Sequence, residues 1–219
     1  MPTKVSTLIL SILFFGIYFI ASSFAYSHRF KNRYSIKNMF PFEFNYEGTF
    51  RMNFYGNSAM ILTLFSMIAF FIFYDQSFTN GFFIASLFIG IIGAICIGAL
   101  SFVPMKLYRL HFVFATILFG AVLALSSLIT IASFRHWQEL DYKTSGIAFF
   151  IGTFTTLATF IMIMNPKLTK PVRGIEVEQE DGSKIMKRPS IIHLAFSEWL
   201  LFFIFIIDML ALLIEAIHL

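Results

Sequence analysis

The chain has 219 residues, 58% of them hydrophobic and 13% charged, with a mean hydropathy of +0.80 and a net charge of +4. Soluble domains carry about 25% charged residues, so this chain lacks the polar surface to cover a globule in water, and lipid is the solvent its composition fits. Its bases lie in loops between apolar runs rather than on one soluble face, which argues against nucleic-acid binding and for topology and anionic headgroups.

The first apolar run, residues 6–26, is long enough to cross a ~30 Å hydrocarbon core at 1.5 Å per residue. It is too long for the h-region of a signal peptide, and no small-x-small cleavage signal precedes a soluble domain, so it reads as a transmembrane helix. Residues 27–56 start basic (Arg29, Lys31, Arg33, Lys37) and become aromatic (Phe40, Phe42, Phe44, Tyr46, Phe50, Phe54, Tyr55). Aromatic rings suit the headgroup level, which predicts an interfacial lid over the bundle. In a sharper reading the lid covers a site to which Glu43, Glu47, Asn53 and Asn57 contribute.

A second helix is expected over 57–74, ended by a turn at Asn80-Gly81. Helices over 81–103 and 110–134 form a hairpin around a short turn at 104–109. In its first arm Ser86, Gly90, Ala94 and Gly98 recur every four residues, with Gly93 beside them. Such spacing puts small residues on one face and predicts a groove where a neighbouring backbone comes close. Cys96 stands alone in that arm, so no intramolecular disulfide forms and the thiol reads as a small buried hydrophobe.

A fifth helix runs over 146–164, ended by Asn165-Pro166. Its Thr153, Thr155, Thr156 and Thr159 can bond back to their own helix and need no partner. Residues 167–189 are the most polar stretch, and Asp181-Gly182 between Ile175, Val177 and Ile185 signals a short extramembrane β-hairpin. Pro189 precedes a sixth helix over 190–217. The expected fold is all-α, one transmembrane domain over 1–219: a six-helix bundle with that hairpin in its last loop.

Six spans place both termini on one side. Thirteen of the 16 Lys and Arg fall in the loops 27–56, 104–109 and 167–189. The positive-inside rule then puts those loops in the cytoplasm and both termini opposite.

The costly residues lie in the sixth helix. At 100° per residue His193, Asp208 and Glu215 share a face, with Glu198 at its edge. Asp208 and Glu198 fall roughly 6–9 Å either side of the midplane, where a carboxylate costs at least ~2.5–3.5 kcal/mol unless paired, protonated or hydrated. Asp208 and Glu198 are therefore ligand, proton or ion candidates, although a hydroxyl on another helix would also satisfy Asp208. His193 and Glu215 read as interfacial. His111 opens the fourth helix as a headgroup-level residue, or as a partner for the Asn53/Asn57 region or the sixth helix. No nucleotide-binding, hydrolase or zinc motif occurs. No metal and no cofactor are called for, and pairing His111 with His193 around a haem has nothing else in its favour.

One stretch resembles a known family. Met52-Asn53 with Gly56 before helix two, the glycine-rich helix three, Phe102-Val103-Pro104 and Leu110-His111 with Ala115 behind resemble the six-helix DRAM/Frag/Sfk-like membrane proteins and their prokaryotic relatives, over roughly residues 35–125. The resemblance implies a six-helix integral membrane protein tied to lipid organisation or trafficking, without catalytic residues to carry over. Members usually keep the N-terminus in the cytosol, opposite to the charge count here. The leading expectation is a non-enzymatic protein that binds or organises membrane lipids or serves as a subunit among other membrane proteins. A small transporter or ion/proton pathway using Asp208 and Glu198 is the second reading. A lipid-directed enzyme with His111, Asp208 or Glu198 as acid/base is the third.

Overall fold

The computed structural model describes residues 2–75, 81–103, 107–140, 143–168, 175–178 and 184–215. The long helices are α1 (Pro2–Phe30), α3 (Phe54–Asp75), α4 (Gly81–Phe102), α5 (Tyr108–Leu140), α6 (Lys143–Ile163) and α7 (His193–Glu215). A 3₁₀ segment, Pro41–Gly48, and one turn of helix, α2 (Thr49–Met52), lie between α1 and α3. The six long helices are long and apolar enough to cross a bilayer, the architecture of a multi-pass integral membrane protein.

Successive helices pack side by side, α1 on α3, α3 on α4, α4 on α5 and α5 on α6. The last helix, α7, runs among α1, α5 and α6 and is the most buried of the six. Its Trp199, Leu201, Phe202, Phe205 and Met209 belong to the main core. The lipid-facing sides of the others carry bare apolar residues such as Phe24, Phe65, Phe88 and Phe154, which a bilayer covers.

Several expectations need correcting. Helix α5 runs six residues past the expected end at 134, because Arg135 pairs with Glu139 one turn on while His136 turns inward. The polar loop expected over 135–145 is thereby reduced to its end. The small-residue face of α4 does not receive a neighbouring backbone. A Cβ at Gly90 would strike the Phe71 ring, one at Gly98 the Leu64 side chain and one at Gly93 the Phe205 ring. With Ser86 and Ala94 buried on the same face, these glycines are sockets for side-chain knobs of α3 and α7. A neighbouring backbone comes close instead at Gly152 of α6, where a Cβ would stand 3.0 Å from the Thr130 nitrogen of α5.

The aromatic segment does not lie flat at the headgroup level. Phe40, Phe42 and Phe44 are buried in the bundle, and among the described rings of the segment Phe54 and Tyr55 stand exposed. Tyr34 stacks on Phe44 with ring centroids 4.0 Å apart, and Trp199 meets both edge-on. The segment is a plug rooted in the core by its rings.

Two four-residue strands, β1 (Ile175–Glu178) and β2 (Lys184–Lys187), pair antiparallel with Ile175 opposite Lys187. Asp181-Gly182, where the sequence places the turn, lies outside the described residues, as do Lys106, Lys170 and Arg173.

Candidate functional site

All three acids of α7 are buried, and each finds its partner on α5 or α6. Glu198 meets His111 of α5, with His111 Nε2 2.9 Å from Glu198 Oε1. Asp208 accepts from Ser126 Oγ of α5 at 2.6 Å and from Thr155 Oγ1 of α6 at 2.8 Å. Glu215 Oε1 lies 2.5 Å from His136 Nδ1 of α5 and accepts from Ser145 Oγ of α6 at 3.0 Å. The pairs climb both helices in the same sense, so α5 and α7 run parallel with a polar seam between them.

The His111–Glu198 pair fixes its own proton count. His111 Nδ1 lies 3.0 Å from the Val103 carbonyl, which can only accept, so Nδ1 carries a hydrogen. The proton on the other ring nitrogen is then shared with Glu198, and the pair is neutral overall wherever that proton sits. Neutrality is what lets a carboxylate stand fully buried here. Both ring nitrogens of His111 are engaged, which leaves none for a haem iron. Glu198 Oε2 is buried without a hydrogen-bond partner among the described residues.

The plug closes over this pair. Phe40 and Phe42 meet the His111 ring edge-on, with centroids 5.8 and 5.3 Å away. Behind them Glu43 accepts both arms of the Arg188 guanidinium, at 2.5 and 2.8 Å, and the Phe40 N–H at 2.9 Å. Tyr34 Oη donates to the Phe40 carbonyl at 2.7 Å and accepts from Trp199 Nε1 at 3.1 Å. Burial pushes the Tyr34 phenol well above the ordinary tyrosine value, with Tyr18 and Glu43 adding to the rise and the Trp199 bond opposing it.

Asn53 and Asn57, read as partners for His111, bond elsewhere. Asn53 Nδ2 donates to Asn45 Oδ1 and Asn57 Oδ1, both at 3.3 Å, and Asn45 Nδ2 donates to the Ser101 carbonyl at 3.2 Å. They tie the plug to the start of α3 and the end of α4. His193 is half-buried at the first residue of α7 and joins none of these pairs. Glu215, expected at the interface, is buried. The single hydroxyl hydrogen of Thr155 is placed to donate to Asp208 at 2.8 Å or back to its own helix at 3.1 Å, so it does have a partner off its helix. The side chain of Glu47 falls outside the described ones. Among the described residues no group of three or more His, Cys, Asp or Glu is placed to hold a metal.

The sequence reading missed His136, Ser126 and Arg188. A signal existed for the first two: at 100° per residue His111, Ser126 and His136 project within about 80° of one another on α5. Ending the helix at 134 hid it. Nothing local marks Arg188 as Glu43's partner across 145 residues of chain.

Beside the plug an apolar groove of about 330 Å³ opens on the outer face of the bundle. Phe112, Ala115, Thr116, Phe119 and Gly120 of α5 line it together with Ile163, Leu168 and Leu194. Gly120 faces open space, with nothing within 4 Å of where a Cβ would stand. Exposed Lys167 directly precedes Leu168 of the lining, and exposed Arg109 stands three residues before Phe112.

Fold and site together define a multi-pass membrane protein with its intramembrane acids sealed in protein contacts and an apolar groove on its lipid face. Comparison with protein-family models, with curated proteins and with solved structures finds no match.

Proposed function

We propose that this is a non-enzymatic lipid-binding protein of the membrane, and that the groove between α5, α6 and the start of α7 holds a lipid acyl chain. The observation that carries this reading is the groove itself: about 330 Å³, apolar, and open where hydrocarbon would surround the bundle. Ligand pockets are concave and mostly apolar, typically ~300–1,000 Å³, and an acyl chain is the apolar ligand in greatest supply at this depth. Arg109 and Lys167 supply positive charge at its edge, suited to an anionic headgroup.

The sealed acids weigh against transport. Glu198 and Asp208 are each fully buried and hydrogen-bonded to protein, whereas an ion pathway needs at least one of them on a water-filled cavity. In this reading the loops bearing thirteen of the 16 bases face the cytoplasm, and β1 and β2 lie outside the membrane. The resemblance to DRAM/Frag/Sfk-like proteins points to the same lipid-related role.

Gly120→Leu tests the proposal. The leucine side chain enters the groove from a position with room for its Cβ, and helix propensity improves by several tenths of a kcal/mol. The variant is expected to fold as well as the parent and to lose co-purifying lipid in native mass spectrometry. Equal lipid retention by a folded Gly120→Leu protein would overturn the reading.

A further inference from the structure

Three contacts fasten the plug to the segment entering α7. Asn38 Nδ2 donates to the Pro189 carbonyl at 3.1 Å, the Ile192 N–H donates to the Lys37 carbonyl at 2.9 Å, and Arg188 forks onto Glu43. So held, Phe40 and Phe42 form a wall with two sides. On one side they pack in a cluster with Leu168 and Leu194 of the groove. On the other they cover His111. The groove and the His111–Glu198 pair are thus neighbours separated by two rings. Ala115 and Leu194 of the groove also stand one helical turn from His111 and Glu198 on their respective helices.

Behind that wall one atom has an unmet need. Glu198 Oε2 is buried with no partner among the described residues, while a carboxylate oxygen in such surroundings calls for a donor. His111 cannot supply it, since one ring hydrogen goes to Val103 and the other nitrogen is spent on Oε1. The groove lies across the two rings from the pair.

We infer that Glu198 Oε2 accepts a hydrogen bond from a headgroup hydroxyl of the lipid whose chain lies in the groove, and that the ligand class is an anionic lipid with a polyol headgroup. This rests on the lipid reading above. The phosphate charge is met by Arg109 and Lys167, the chain by the groove, and the hydroxyl reaches Glu198 by displacing Phe42 from the wall. A phosphocholine headgroup has no donor for Glu198. A phosphatidylmethanol carries the same charge as a phosphatidylglycerol but lacks the hydroxyls, which isolates the one bond in question.

The full-length protein is to be placed in phosphatidylcholine nanodiscs containing equal fractions of phosphatidylglycerol and phosphatidylmethanol, and its retained lipid read by native mass spectrometry. A hydrogen bond to an ionisable carboxyl group should favour phosphatidylglycerol by about tenfold. The double variant His111→Phe/Glu198→Leu, which removes both polar partners and leaves the groove intact, should retain the two lipids equally. Equal retention of both lipids by the parent protein would overturn the hydroxyl site and leave the lipid reading standing. A preference that survives in the folded double variant would also overturn it. Retention of neither lipid by the parent would remove the lipid reading and this site with it.

Discussion

Removing His111 alone should be more damaging than removing it together with Glu198. His111→Phe keeps a ring of similar size between Phe40, Phe42 and the α5 backbone, but deletes the one side chain among the described residues that bonds the Glu198 carboxyl group. The carboxyl group is fully buried, and stripping one partner from a buried pair costs about 3–5 kcal/mol. Glu198→Leu leaves a neutral imidazole that keeps its bond to Val103, so the loss is one unmet nitrogen, about 1–3 kcal/mol. The double variant leaves neither orphan. Its cost is the lost bond to the Val103 carbonyl, about 1 kcal/mol, partly offset by added apolar burial. The double-mutant cycle should thus give a coupling of at least about 2 kcal/mol, read from unfolding in mixed detergent micelles by the fluorescence of Trp199 beside the pair. Losses that simply add in the double variant would show that the two side chains do not depend on each other.

Asp208→Asn should be nearly neutral, within about 1 kcal/mol, because the hydroxyls of Ser126 and Thr155 can each turn to accept from the new amide; a severe loss of thermal stability would mean that the carboxylate charge itself is required. Gly90→Leu should lower yield and melting temperature in detergent, since its Cβ meets the Phe71 ring, whereas Gly16→Leu, with nothing within 4 Å, should not; equal behaviour of the two would refute the socket reading. Tyr34→Phe should cost about 1–2 kcal/mol by deleting the bonds to Phe40 and Trp199. Because the folded phenol titrates above its ordinary value, its contribution is complete below about pH 10 and fades as the pH rises through the folded value. The tyrosinate absorbance assigned to Tyr34 by difference between parent and variant should accordingly appear late, and an ordinary titration would contradict the buried arrangement.

The spans were legible because apolar length is a strong signal. Each of the six helices contains the stretch the hydropathy marks out, within a few residues at its ends. Asp208 was legible for the same reason, as a carboxylate in hydrocarbon stands out and its hydroxyl partners were anticipated in kind. What stayed hidden depends on contacts between distant segments. Phe40, Phe42 and Phe44 have the composition of an interfacial belt, and only the Glu43–Arg188 fork, 145 residues apart in sequence, shows them folded inward as a plug. The glycines of α4 announce a close approach but not what approaches. Small-residue spacing is the same whether a backbone or the rings of Phe71 and Phe205 fill the face. The groove was not legible at all, since it is a gap between α5, the end of α6 and the start of α7 and no residue type marks a gap.

Lipid occupancy of that groove can be measured directly. The protein, reconstituted with a lipid carrying a photoactivatable diazirine in its acyl chain, is irradiated, digested and mapped. Adducts should concentrate on Phe112, Thr116, Gly120 and Leu194, the groove's lining, and should fall away there in Gly120→Leu. Adducts spread evenly over the exposed apolar face, with Phe24, Phe65, Phe88 and Phe154 labelled as strongly as the groove, would show a bundle merely solvated by lipid.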